Sequence, residues 1–90
     1  MSGNIIITLY QKKVQISEKV RIDVSKTFAY TGRSISSIVV KPISDGAESF
    51  DVTSDKYLDY AYSSAGVKTI HVTLTLDNGD TIALAKDIEV

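Results

Sequence analysis

The chain has 90 residues, ten basic and eleven acidic, with a net charge of −1, no cysteine and a single histidine. That length holds one domain, residues 1–90, around one core, and the core must stand without disulfides. The even charge lacks the basic stripe of a phosphate-binding surface, and runs such as Ile5-Ile6-Ile7 fall far short of the ~20 residues of a membrane span. The opening, MSGNIIITLYQKK, lacks the basic-then-apolar layout of a secretory signal, so a soluble chain with no export address is expected.

Strand spacing runs through almost the whole sequence. Ile5, Ile7 and Leu9 alternate with Thr8 and Tyr10, and Lys12-Lys13 marks a kink before Val14 and Ile16 resume the pattern. Val20, Ile22 and Val24 alternate with Lys19, Arg21 and Asp23, the signature of a half-buried antiparallel strand with one wet face. Residues 35–41 are richer in β-branched side chains and read as a central strand, stopped at Pro42, which has no amide hydrogen to give a ladder. Residues 44–48 are a turn by composition. Residues 49–53 make a short strand carrying Phe50 and Val52, and Ser54-Asp55-Lys56 is either one helical turn or a loop. A tyrosine-rich approach then leads to Ala65-Gly66 and the best strand, residues 67–76, with Ile70, Val72, Leu74 and Leu76 on one side and Thr69, His71, Thr73 and Thr75 on the other. Asn78-Gly79 predicts a two-residue type I′ hairpin. The last strand turns Ile82, Leu84, Ile88 and Val90 inward. Lys86 falls on the same parity, which calls for a bulge near Ala85-Lys86 or a lysine that snorkels to water. About seven short strands and no helix of useful length make an all-β, two-sheet antiparallel sandwich.

The last third resembles the PKD-type immunoglobulin-like domain. Tyr62 stands at that family's leading tyrosine, Gly66 at its turn glycine, Ile70, Val72 and Leu74 at its alternating core positions, and Ile88-Glu89-Val90 at its closing tail. Residues 18–24 resemble an upstream strand of the family, and residues 37–41 with Ser44-Asp45-Gly46 stand at its WDFGDG-type segment. The chain has no tryptophan, so Val39 or Val40 takes the place of the buried ring; Ala65 replaces the family's proline and Lys68 its tyrosine. The resemblance implies an immunoglobulin-like sandwich used for binding or spacing.

No catalytic constellation is legible. His71 lies among threonines on a polar strand face and no GxSxG elbow is present, whereas triad chemistry needs converging side chains and an oxyanion hole. One histidine and no cysteine do not suffice for zinc. Asp45, Glu48 and Asp51, or Asp77 and Asp80, supply oxygen ligands of the type calcium takes, without the density of a dedicated loop. No metal, cofactor or catalytic residue is therefore assigned, and the expectation is a protein that is not an enzyme. The binding candidates are Tyr57, Tyr60 and Tyr30, because tyrosine offers large area at low entropic cost, together with Lys12 and Lys13. Tyr62 reads as a corner tyrosine bonded to backbone. The first strand, apolar on both parities, either bridges the sheets or offers an edge to another chain.

The functional expectation is a bacteriophage structural protein made in the host cytoplasm and mounted on the virion. As a capsid decoration or surface module it would bind a major capsid or other virion protein, and its loops would reach a host-surface glycan or protein. The alternative is a spacer or a carbohydrate- or protein-binding module of a bacterial secreted or cell-surface protein, located outside the cell. Neither reading involves nucleic acid or membrane insertion.

Overall fold

In the computed structural model, which describes residues 3–90, every regular element is a strand. In chain order these are β1 (Gly3–Asn4), β2 (Thr8–Leu9), β3 (Lys19–Asp23), β4 (Phe28–Ala29), β5 (Ile35–Lys41), β6 (Phe50–Asp51), β7 (Tyr57–Ala61), β8 (Val67–Leu76) and β9 (Thr81–Glu89). One sheet has the order β2-β3-β7 and the other β6-β5-β8-β9, with β1 and β4 forming a separate small pair. All strand pairs are antiparallel.

Alternation builds the core. Val20, Ile22 and Val24 around β3, Ile38 and Val40 of β5, and Ile70, Val72, Leu74 and Leu76 of β8 are all buried. Val40 is fully enclosed while Val39 is half-buried, so Val40 occupies the core at this point. Residues 5–7 form no ladder; they bridge β1 and β2 with Ile5 and Ile7 buried. Tyr62, just past β7, is buried, and its hydroxyl donates to the Pro42 carbonyl at 2.8 Å. It is the corner tyrosine expected from the sequence.

Several local expectations change. Asn78-Gly79 is not a two-residue type I′ turn. Leu76 N–H donates to the Asp80 carbonyl and Gly79 N–H to the Leu76 carbonyl, so three residues span the hairpin. Gly79 takes a φ of 88° while Asn78 does not have a positive φ, the three-residue loop in which a left-handed glycine follows a type I turn. The cause is visible in the side chains, since Asn78 Oδ1 accepts from Asp80 N–H and Asp77 N–H is drawn to the Ser34 carbonyl. The β8–β9 register runs without interruption from Val67↔Glu89 to Thr75↔Thr81, so Lys86 sits in no bulge. It snorkels instead, exposed, with Nζ 3.5 Å from the Ile7 carbonyl. Leu84 points inward by parity but remains 42% exposed. The irregular register falls in β5, between Ile35 and Ser37. Ile16 is exposed rather than alternating with Val14, because Ser17 turns the chain with a φ of 70°. Lys56 N–H donates to the Val52 carbonyl, giving a single helical turn before β7.

Candidate binding surface

The outward face of the three-stranded sheet carries the densest polar–aromatic cluster. β3 and β7 pair with Arg21 opposite Asp59 and Asp23 opposite Tyr57, so these four side chains share one face. The Arg21 guanidinium makes two parallel bonds to Asp59, Nε to Oδ1 at 2.8 Å and Nη2 to Oδ2 at 3.0 Å. It also lies 4.0 Å over the centre of the Tyr57 ring. Beside it, the Tyr10 hydroxyl donates to Asp23 Oδ2 at 3.1 Å, while Asp23 Oδ1 accepts from Ser25 N–H.

The electrostatics follow these contacts. The bond to Arg21 holds the Asp59 carboxyl below its ordinary range and raises Arg21 in turn. Bonds from Ser25, and then from Tyr10, hold Asp23 down, and Asp23 raises Tyr10. The face therefore keeps fixed charges around exposed rings, with Tyr10 69% and Tyr57 38% accessible. Arginine and tyrosine fixed by neighbours lose little freedom on contact, as binding hot spots require.

The other candidates lie elsewhere. Tyr60 is half-buried, its ring edge-on to Tyr62 at 4.9 Å and to Phe50 at 6.0 Å, its hydroxyl donating to Glu48. Tyr30 packs against Phe28 at 5.7 Å beyond β4, both rings partly exposed. Lys12 and Lys13 flank the end of β9, where Lys13 meets Glu89 at 3.8 Å. Only Tyr57 joins the clustered face. The acidic residues do not converge either: Asp51 accepts from Thr53 N–H and hydroxyl, Glu48 serves Tyr60, and among the described residues no three metal-ligating side chains gather.

No protein-family model and no curated protein matches the chain. Solved structures do. The PKD1 domain of the Vibrio cholerae metalloprotease PrtV superposes with a TM-score of 0.74 at 19% identity, over 100% of this chain and 98% of that one. The fold is PKD-like. A structure of carbohydrate-binding modules of the β-sandwich superfamily superposes with a TM-score of 0.87, again at 19% identity, and this chain spans 34% of its length.

In this PKD-like sandwich the clustered face draws on residues that the sequence did not single out. Arg21, Asp59, Asp23 and Tyr10 are ordinary polar positions when read one at a time. Arg21 and Asp23 already stood on the wet parity of a strand; what was missing was the β3–β7 register, which joins residues 38 apart in sequence.

Proposed function

We propose that this chain is a non-enzymatic binding module that attaches to a protein partner through the outer face of β2-β3-β7. The observation that carries the reading is the Tyr57–Arg21–Asp59 arrangement, an exposed ring and a planar cation held in place by a bidentate carboxylate. Arginine stacked and forked in this way is suited to carboxylates and carbonyls on another protein surface. As the setting we propose a virion, with a major capsid or other virion protein as partner. A cysteine-free sandwich needs no oxidising compartment to fold. The test is co-sedimentation of the purified protein with capsids of the phage whose genome carries the gene, beside capsid or tail genes. Binding that Tyr57→Ala abolishes supports the reading; no binding, or a reading frame joined to a secreted catalytic domain, rejects it.

A second reading is a binding or spacing module of a bacterial secreted or surface protein. It is favoured by the likeness to a metalloprotease PKD domain and to carbohydrate-binding modules. Retention on an insoluble polysaccharide, lost on Tyr57→Ala, would select it.

A further inference from the structure

Apart from a parallel bridge between Lys13 and Glu89 at its end, the strand β9 is paired along one side only. Gly66 and Val90 exchange both backbone hydrogen bonds at 2.9 Å, which turns the even-numbered groups of β9 toward β8 and the odd-numbered ones away from it. Of the outward groups, those of Glu89 are taken: Val14 N–H donates to the Glu89 carbonyl at 3.0 Å and Glu89 N–H to the Lys12 carbonyl at 3.1 Å. The chain then departs toward β3. The backbone groups of Thr81, Ala83, Ala85 and Asp87 on this edge have no backbone partner among the described residues.

Proteins blunt such edges with proline, bulges or short strands, and β9 uses none of these. It runs from Thr81 to Glu89 in unbroken register with no proline. Its outer side chains at the middle are Ala83 and Ala85, and Leu84 on the inner side is 42% exposed. Lys86 is an inward-parity charge of the blocking kind, but its ammonium is drawn aside to the Ile7 carbonyl.

We propose that β9 pairs antiparallel with β9 of a second copy, about a two-fold axis at Ala83, joining the two four-stranded sheets edge to edge. The choice of occupant rests on complementarity of the edge with itself. In this register Ala83 faces Ala83 of the second copy, Ile82 faces Leu84 and covers its exposed side, and Lys86 faces Asp80, each heterologous pair occurring twice. The net charge of −1 opposes association only weakly. The open edge of β7 offers no such match, since self-pairing centred on Asp59 sets like charges opposite each other. The surface is on the other sheet from the Tyr57 face, so the two proposals stand or fall separately.

Sedimentation velocity over a concentration series tests the pairing, with a reversible monomer–dimer equilibrium expected. Ala85→Pro removes an outward N–H and no bond within the monomer, so it yields a folded protein that does not dimerise. The chain has no cysteine, which makes cross-linking register-specific. Residues directly opposite in a hydrogen-bonded pair lie ~5.5 Å apart at Cα, so Ala83→Cys forms an intermolecular disulfide under mild oxidation. Ala85→Cys, displaced from its own copy by several residues, does not. Lys86→Glu raises the dissociation constant at least about tenfold by placing like charges at both ends, and adding Asp80→Lys restores pairing. A protein that stays monomeric at every concentration, or one cross-linked through Ala85→Cys and not Ala83→Cys, overturns the proposal.

Discussion

The Tyr62 hydroxyl donates to the Pro42 carbonyl at 2.8 Å, and both residues are fully buried. The bond ties the chain just after β7 to the residue that ends β5, so it fastens one sheet to the other. Pro42 stops β5 because it has no amide hydrogen, and its carbonyl would be left without a partner inside the sandwich. The tyrosine supplies that partner, and its ring packs edge-on to Tyr60 at 4.9 Å.

Tyr62→Phe keeps the ring and removes the donor. A buried carbonyl left without a partner costs about 1–3 kcal/mol. Urea denaturation of the variant should show an unfolding free energy lower by that margin, seen as a lower midpoint with an unchanged slope. A midpoint equal to that of the wild type would mean that Pro42 finds another partner.

The same residue links stability to alkaline pH. Burial, and secondarily the neighbouring Tyr60, pushes the Tyr62 hydroxyl up from 10.0 to about 12. Its proton is therefore held more tightly in the folded chain than in the unfolded one. The contribution is fully present below about pH 10 and is lost as pH rises from there toward about 12. The stability gap between wild type and Tyr62→Phe should narrow across that window, measured as denaturation midpoints at successive pH values. A gap that stays constant up to pH 12 would contradict the raised ionisation.

The strands that were legible in the sequence are those with one clean apolar parity. Val20, Ile22 and Val24 mark β3, and Ile70, Val72, Leu74 and Leu76 mark β8; each of these residues is buried. β7 was not legible, because it places Tyr57 outward and Leu58 and Tyr60 inward, so aromatic rings occupy both parities and blur the period. Leu84 shows the reverse failure. Its parity is right, but burial also needs a facing residue, and the neighbouring sheet of the same chain supplies too little cover there. The clustered face was hidden for a related reason, since Arg21 meets Asp59 only through the pairing of β3 with β7.

Thr27 is a buried polar residue in the turn after β3. Its Oγ1 accepts from Ile6 N–H at 3.1 Å and lies 3.4 Å from the Ile6 carbonyl, to which it donates. Residues 5–7 have no ladder partner, so these bonds hold the bridging segment in place. Thr27→Val preserves shape and removes both. The expected cost is about 1–3 kcal/mol, with amide exchange at Ile6 accelerated more than at Ile22 in the neighbouring strand. Equal acceleration at both would show that the bond serves the whole fold rather than this segment.

Arg21 and Asp59 form the pair whose removal separates binding from stability. Both lie at the surface, where an ion pair contributes little to folding, so Arg21→Ala should leave the thermal midpoint almost unmoved. Its electrostatic effect is nevertheless readable without any partner. The Arg21 bond holds the Asp59 carboxyl below its ordinary 3.8, and in Arg21→Ala an NMR pH titration should find that carboxyl shifted back up toward the ordinary value. The Tyr57 ring loses the cation above it in the same variant. If this face makes the contact, partner affinity falls about tenfold or more, as for a truncated hot-spot arginine, while Ser49→Ala, on another surface, has no effect. A binding loss accompanied by a comparable drop in the thermal midpoint would instead mark Arg21 as a residue of the fold.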